Sequence, residues 1–481
     1  MKSTLTLLAR CRATALLGAL LTVAAVTSAT AAPLPRLKVS DNHRFLVTAD
    51  GKPFFWLGDT AWELFHRLNR EEATLYLEDR ARKGFTVIQA VALAEQDGLN
   101  TPNAYGHRPL LENDPTRLDV KEGPANDYWD HVDFIVDRAA SLGLRIGFLP
   151  TWGDKWQTSR GGKGPVVFNA ENARAYGEWI GKRYAEKPVV WILGGDRNIE
   201  SDGDRAITEA MARGLRTGDG GRHLITFHPR GPGRSSDYFH TADWLDLNMT
   251  QSSHAARDHD NGLFIAHDYA LQPPKPTLDG EPRYERIPVG FYLSGASKHL
   301  TFDDYDCRQA AYWALLAGAC GHTYGNNNIW QMWAPGRAAV IDANIPWSEA
   351  LEHPGAVQMG IVRRLFESRP FAELQPDDSM IVDGPHTGGA KVRAARASDG
   401  SFAFVYSPRG EPFAVRMDAI KSKTGVTSWW FDPRYGTASA IYTGDAVAMQ
   451  TFTPPSSGRG QDWVLVLDDA AMKFPIPGRK P

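Results

Sequence analysis

The 481-residue chain has little net charge and no long apolar run beyond its N-terminal segment. A formal charge of −3 gives no electrostatic reason for binding nucleic acid or an anionic membrane. No later stretch reaches the roughly 18 consecutive apolar residues of a membrane-spanning helix. We therefore expect no nucleic-acid partner and no membrane insertion.

Cysteine is also scarce, with three residues in the whole chain. Only Cys307 and Cys320 follow the N-terminal segment, and the stretch 307–320 that joins them is predicted to be one helix. A helix of that length would separate them by roughly 20 Å, whereas a disulfide needs Cα atoms within about 7 Å. The spacing predicts two free, buried thiols and no disulfide framework.

Several common catalytic motifs are missing. There is no HExxH or CxxC grouping, so we expect no catalytic metal. A Gly-x-Ser-x-Gly motif is absent, which argues against an esterase of the α/β-hydrolase type. There is no P-loop either, and we expect the protein to need no cofactor.

The first 32 residues have the pattern of a signal peptide. Basic residues precede an apolar stretch at 13–26, and small residues at 29–32 offer a cleavage site. The apolar stretch is short and alanine-rich for a stable membrane span. We expect the mature protein to be exported to the periplasm or the extracellular space.

Short apolar segments alternate with helical segments between residues 33 and 372. The candidate strands are 54–60, 85–91, 144–153, 189–193, 224–229, 245–252, 276–281 and 321–326. Eight β units alternating with helices predict a (β/α)8 TIM barrel. A doubly wound open sheet is the alternative, but it would need a glycine-rich phosphate turn after an early strand, and Gly58-Asp59-Thr60 is not one.

The pattern changes beyond residue 372. Short strands with turn residues between them follow one another to the end of the chain, which predicts an antiparallel β-sandwich over 373–481. Because no low-complexity linker separates the two parts, we expect the sandwich to pack directly on the barrel.

Two carboxylates follow predicted barrel strands that lie across the barrel mouth from each other. Asp196 follows the fourth strand, after Gly194 and Gly195, and Glu281 follows the seventh. Two carboxylates that face each other can act as acid/base and nucleophile on a glycosidic bond. A separation of roughly 5.5 Å between the carboxyl groups predicts retention of configuration, and a wider separation predicts inversion. We predict that this pair is catalytic.

Other residues near strand ends are candidates for binding a substrate. They are Asp59, Trp62, Gln89, Trp152, Asn198, His228, Arg283 and Trp330. The chain has 15 tryptophans, and aromatic faces stack on the apolar C–H faces of sugar rings. Arg283 could hold Glu281 ionised. Asn198 could bind a sugar hydroxyl or cap the next helix.

Three separated motifs resemble the apiosidase-like glycoside hydrolases of family 140. They are Gly51–Trp62, Trp191–Asn198 and Asp279–Tyr284. The resemblance implies that Asp196 is the acid/base, that Glu281 is the nucleophile, and that the substrate is apiose on a side chain of the pectin rhamnogalacturonan II. Residues 375–470 resemble a domain that is labelled as collagen-binding, and we do not infer collagen binding from that label.

This sequence departs from the wider superfamily of retaining barrels, which usually has Asn-Glu after the fourth strand. Gly195-Asp196 stands there instead, and we expect the glycines to let the leaving oxygen approach the shorter acid. The sequence thus predicts a retaining glycoside hydrolase with a carbohydrate substrate. Alternatives are a glycosidase of another specificity, such as an arabinofuranosidase or endo-glycanase, and a non-catalytic carbohydrate-binding protein.

Overall fold

A computed structural model describes residues 33–157, 162–444 and 448–480. The predicted signal peptide at 1–32 lies outside the described residues. Within the described ranges, no helix combines the length and the apolar character needed to cross a bilayer.

The described chain begins with a small antiparallel sheet. Its strands are β1 (Leu37–Val39), β2 (Leu46–Thr48) and β3 (Pro53–Phe54). Gly51 takes a positive φ of 86° in the turn before β3, where its N–H donates to the Thr48 carbonyl. The Asp50-Gly51 turn predicted from the sequence therefore forms.

The main sheet is a barrel of nine strands. They are β4 (Trp56–Thr60), β5 (Val87–Leu93), β6 (Arg145–Thr151), β7 (Val189–Gly194), β8 (Ile225–His228), β9 (Gly233–Arg234), β10 (Asn248–Gln251), β11 (Thr277–Asp279) and β12 (Gly321–Tyr324). Their order is β8-β7-β6-β5-β4-β12-β11-β10-β9, and every pair is parallel except β9 with β10.

The barrel closes between β8 and β10. The Asp246 N–H donates to the Ile225 carbonyl at 2.9 Å, and the Thr226 hydroxyl donates to the Leu247 carbonyl at 2.8 Å. The predicted (β/α)8 barrel is confirmed, with the short β9 as an addition.

Helices follow most barrel strands and cover the outside of the sheet. They are α1 (Leu64–Arg67), α2 (Arg70–Lys83), α3 (Tyr128–Ser141), α4 (Ala170–Arg183), α5 (Asp202–Asp219), α6 (Ser236–Phe239), α7 (Gly262–Ala270), α8 (Asp304–Leu316), α9 (Trp347–Ala350) and α10 (Pro354–Glu367). The predicted N-cap of α2 is present, because Asn69 and Glu72 form a reciprocal capping box.

Helix α8 ends earlier than the sequence predicts. It stops at Leu316, and Gly318 then takes a φ of 107° that a helix cannot continue through. Cys320 therefore lies just ahead of β12 rather than in the helix that contains Cys307. The two thiols are free and buried, as predicted.

The C-terminal part is a two-layer antiparallel sandwich. Its strands are β13 (Leu374–Pro376), β14 (Ile381–Asp383), β15 (Arg393–Ala397), β16 (Phe402–Ser407), β17 (Phe413–Arg416), β18 (Val426–Asp432), β19 (Thr437–Gly444), β20 (Met449–Phe452) and β21 (Trp463–Asp469). One layer has the order β13-β15-β16-β21-β18-β19, and the other β14-β17-β20. Phe413, Trp430 and Leu465 are among the side chains buried between the layers, and the predicted sandwich is confirmed.

Helix α8 joins the barrel to the sandwich. The ring of Tyr312 stacks on Tyr406 of β16 at 4.7 Å between centroids. Arg308 makes a bidentate ion pair with Asp462, at 2.8 and 3.0 Å, and the two side chains are 1% and 0% exposed. This helix is therefore buried on the side where an ordinary barrel helix meets water.

Candidate active site

A cavity of about 270 Å³ opens among the loops that follow the barrel strands. Its volume lies just below the usual range for small-molecule sites, about 300–1,000 Å³. Its lining includes five residues predicted from the sequence, namely Trp62, Trp152, Asp196, Glu281 and Trp330. The C-terminal face of a parallel barrel is where catalytic side chains are expected.

Asp196 lies in a turn with an unusual backbone. Gly194, Gly195 and Asp196 have φ values of 93°, 83° and 58°, all in the left-handed region. A Cβ on Gly194 would lie 2.3 Å from the His228 carbonyl oxygen, and one on Gly195 would lie 2.8 Å from the Gly153 nitrogen. The glycines thus make room for neighbouring backbone, and the expectation that they also let the leaving oxygen approach Asp196 stays a prediction.

Two hydrogen bonds fix this turn against the loop after β6. The Gly153 N–H donates to the Gly195 carbonyl at 3.0 Å, and the indole N–H of Trp156 donates to the Gly194 carbonyl at 3.0 Å. The guanidinium of Arg197 donates to the Asp196 carbonyl at 2.8 Å. Asp196 is therefore presented to the cavity by a tightly held backbone.

Glu281 is positioned by the turn that ends β11. A Cβ on Gly280 would lie 2.6 Å from the Met249 side chain, so glycine is required for this close packing. The amide of Gln89 donates to the Gly280 carbonyl at 3.1 Å, and the Ser253 N–H donates to the Glu281 carbonyl at 3.2 Å. Gln89, predicted to bind substrate, instead supports the turn and is absent from the cavity lining.

Two histidines flank the Glu281 carboxylate. His254 Nε2 lies 3.1 Å from Oε1, and His228 Nε2 lies 3.1 Å from Oε2. His228 also accepts the Asp196 backbone N–H at Nδ1, over 3.3 Å. Because a backbone N–H can only donate, Nδ1 has the acceptor role in this contact, and Nε2 is the ring nitrogen that lies toward Glu281. His228 thus links the two predicted catalytic residues.

The two carboxylates have pKa values displaced in opposite directions. Burial and the charge of Glu281 raise the pKa of Asp196 to about 6. Burial alone would also raise the pKa of Glu281, but His228 and His254 outweigh it and lower that pKa to about 2. Between these values Asp196 retains a proton while Glu281 is ionised, which is the division that an acid and a nucleophile need.

Aromatic rings form one wall of the cavity. The rings of Trp62 and Trp152 are 5.2 Å apart, and Trp62 meets His228 edge-on at 5.5 Å. The indole N–H of Trp152 is buried without a hydrogen-bond partner among the described residues. Trp330 donates its indole N–H to the Asn327 side chain at 3.2 Å. This wall offers apolar faces and one free donor to a ligand.

Asp59 does not reach the cavity. Successive side chains of a strand point to opposite faces of the sheet, and Asp59 faces the helical layer, where it is 0% exposed. Its carboxylate accepts hydrogen bonds at 2.6 Å from both Tyr76 and Arg80 of α2. The structure therefore contradicts its predicted role in binding substrate.

Arg283 and Asn198 are also outside the cavity lining. Arg283 donates to Gln309 at 2.9 Å and lies over the ring of Trp313, so the expected contact with Glu281 is absent and the histidines take that role. Asn198 accepts the Arg230 backbone N–H at 3.0 Å. The structure gives Arg283 a supporting contact away from Glu281, and the prediction that Asn198 binds substrate stays a prediction.

Several lining residues were missed by the sequence analysis. Among them are Glu95, Arg230, His254, Phe291 and Tyr292. All five lie in loops beyond the strand ends, where strand periodicity gives no position. The only available signal was the length of the loops after β5 and β11, because long loops on this face usually shape a cleft.

Within the described residues, no group of three or more His, Cys, Asp or Glu side chains is arranged to hold a metal ion. The cavity lining offers carboxylates, one histidine and aromatic rings.

Comparison with known proteins agrees with this geometry. The family description "Apiosidase-like, catalytic domain" matches residues 40–373, and "Putative collagen-binding domain of a collagenase" matches residues 375–468. A solved structure described as a glycoside hydrolase is 34% identical with a TM-score of 0.82, covering 91% of this chain and 97% of its own. A comparison with curated proteins finds no match.

A second solved structure is similar to the same extent. It is described as a family 5 glycoside hydrolase from Bacteroides vulgatus, and it is 32% identical with a TM-score of 0.83. The alignment covers 93% of this chain and 96% of that chain. The similarity thus extends over both the barrel and the sandwich.

Proposed function

Because the chain belongs to the apiosidase-like catalytic domain family and is therefore a glycoside hydrolase, we propose that it removes an apiosyl unit from a polysaccharide side chain with retention of configuration. In this proposal Glu281 is the nucleophile and Asp196 is the acid/base. The observation that carries it is the opposite displacement of the two pKa values in one cavity.

The first step forms a bond between the anomeric carbon and a carboxylate oxygen of Glu281. Asp196 gives its proton to the departing glycosidic oxygen, whose bond to the anomeric carbon breaks. His228 and His254 keep Glu281 ionised for this attack. The product is a covalent glycosyl-enzyme and a free alcohol.

In the second step Asp196, now ionised, takes a proton from water. The resulting hydroxide attacks the anomeric carbon and displaces Glu281, which restores the starting protonation states. Two inversions at one carbon give net retention. The small cavity suits a single terminal sugar, which favours apiose removal over cleavage within a long chain.

The test uses an apiosyl disaccharide and 4-nitrophenyl apioside as substrates, with the matching arabinofuranosides beside them. Glu281→Gln should lower kcat by about a thousandfold or more on any cleaved substrate, because it removes the nucleophile. Asp196→Asn should lose far more activity on the disaccharide than on the nitrophenyl glycoside, since nitrophenolate leaves without a proton. Added azide should restore activity to Asp196→Asn.

Glu71→Gln, on the exposed face of α2, is the matched control for removing a carboxylate and should behave as wild type. The first anomer released, followed by proton NMR, reports the stereochemistry. An inverted product, or near wild-type turnover in either catalytic variant, would contradict the mechanism. Cleavage of the arabinofuranosides alone would keep the mechanism and change the sugar.

A further inference from the structure

A third carboxylate lines the cavity and is not used by the mechanism above. Glu95 lies two residues beyond the end of β5, in the same lining as Asp196 and Glu281. No cation lies within ion-pair distance of its side chain among the described residues. Its carboxyl group has a hydrogen bond with Gln96 but no cation beside it, and a carboxyl group so placed in a ligand cavity requires an explanation.

The carboxylates nearest to Glu95 have cations of their own. Glu63 is held by His66 at 2.7 Å and by Arg67 at 3.6 Å. Asp154 is held by Lys155 at 2.6 Å.

Asp196 has Arg197 at 3.6 Å. An ionised Glu95 would place a negative charge beside the carboxyl groups of Asp196, Glu63 and Asp154, which disfavour it.

We propose that Glu95 is a further substrate-binding residue, which holds a hydroxyl group of the sugar as a neutral carboxylic acid. This inference rests on the glycosidase function proposed above and adds a contact to the same site. A neutral carboxyl group offers one O–H donor and one carbonyl acceptor, which matches the donor and acceptor of a sugar hydroxyl. An aromatic wall alone cannot supply this directional contact.

The electrostatics agree with the geometry. Burial raises the pKa of Glu95 to about 8, and the negative charges of Asp196, Glu63 and Asp154 act in the same direction. The carboxyl group therefore keeps its proton at neutral pH. Its ionisation at higher pH would remove the donor and repel the electron-rich sugar oxygens.

The test compares Glu95→Gln with Glu95→Ala on 4-nitrophenyl apioside. Glutamine keeps one donor and one acceptor at nearly the same positions, so its kcat/KM at pH 7 should stay within about threefold of wild type. Alanine removes both, and kcat/KM should fall about tenfold to a hundredfold, mainly through KM. Glu71→Ala is the control for removal of a glutamate elsewhere on the surface.

The pH profile separates a binding role from a merely structural one. On the apiosyl disaccharide, whose leaving group needs the proton of Asp196, the wild-type kcat/KM above pH 8 should fall about a hundredfold per pH unit, because both Asp196 and Glu95 lose protons. Glu95→Gln should fall only about tenfold per pH unit on the same substrate. The infrared spectrum of wild type minus that of Glu95→Gln, both at pH 7, should contain the band of an un-ionised carboxyl group. That band does not depend on turnover.

The possible failures can be told apart. A wild-type enzyme inactive on every probe would overturn the proposed function and, with it, the binding role of Glu95. An active wild type with unaltered Glu95→Ala kinetics, or without the carboxyl band, would overturn only the Glu95 proposal. Loss of activity in Glu95→Gln equal to that of Asp196→Asn, with azide rescue, would make Glu95 the proton donor and overturn it as well.

Discussion

The low pKa of Glu281 gives the most direct prediction, because its cause can be removed one residue at a time. The pKa is lowered from 4.5 to about 2, and burial opposes the change. At about 1.36 kcal/mol per unit, the two histidines must supply at least about 3 kcal/mol in favour of the ionised form. His254 makes one of the two contacts, at 3.1 Å from Oε1. Its share of the lowering of the pKa, taken as half, is about one pKa unit or slightly more.

The perturbation is His254→Ala, and the assay is kcat/KM on 4-nitrophenyl apioside over the acid range. Activity requires ionised Glu281, so it is lost as the pH falls through the pKa of that residue. We expect the acid limb to move upward by at least about one unit, from about 2 to about 3 or higher. His254→Gln, which keeps an N–H donor but cannot carry a charge, should move it less.

His299→Ala is the matched control, since His299 is exposed in the loop that precedes α8. It should leave the acid limb in place. An unchanged acid limb in correctly folded His254→Ala would refute the reasoning. It would show that His254 contributes nothing to the low pKa of Glu281.

Three further predictions concern stability. The pKa of Asp196 is about 6 in the folded protein, against an ordinary value of 3.8. The contribution of its protonated form to the stability of the fold is therefore fully present below pH 3.8 and is lost as the pH rises through 6. The free energy of unfolding of Asp196→Asn should therefore exceed that of wild type by about 1–2 kcal/mol at pH 7, a value reduced from about 3 kcal/mol by solvent screening. Near pH 3.5 the two free energies should be equal. Equal unfolding curves at pH 7 would contradict this prediction. Asp59→Asn leaves Arg80 without its buried anionic partner, so the free energy of unfolding measured with urea should fall by about 3–5 kcal/mol while KM stays unchanged. A raised KM would show that Asp59 does contribute to substrate binding. Arg308→Ala isolates buried Asp462 and should cost about 3–5 kcal/mol within a single thermal transition; two separate transitions would show that the barrel and the sandwich unfold independently.

The sequence is sufficient to predict the barrel because the pattern that indicates a strand is repeated along the chain. Each apolar segment ending at a polar residue predicts a strand, and eight such segments support one another. Asp196 and Glu281 are found for the same reason, since each follows directly on a strand. Asp59 shows the limit of this reasoning, because alternate side chains of a strand face opposite ways and the sequence does not say which face is the inner one.

The side chains that complete the site are less accessible to such reasoning. His254 and Glu95 lie in loops, and their positions depend on the path of the backbone beyond the strand ends. Arg283 is close to Glu281 in sequence, which suggested a contact, yet its guanidinium faces Gln309. Proximity along the chain determines side-chain contacts only where the backbone is regular.

Helix α8 has a consequence for how such chains can be recombined. Two separate family descriptions meet near residue 374, as if the parts were interchangeable modules. Yet Arg308 and Tyr312 of the barrel helix have buried partners, Asp462 and Tyr406, in the sandwich. A barrel transplanted onto a foreign sandwich would expose a buried charge and an aromatic face, so the two parts must be inherited or engineered as one piece.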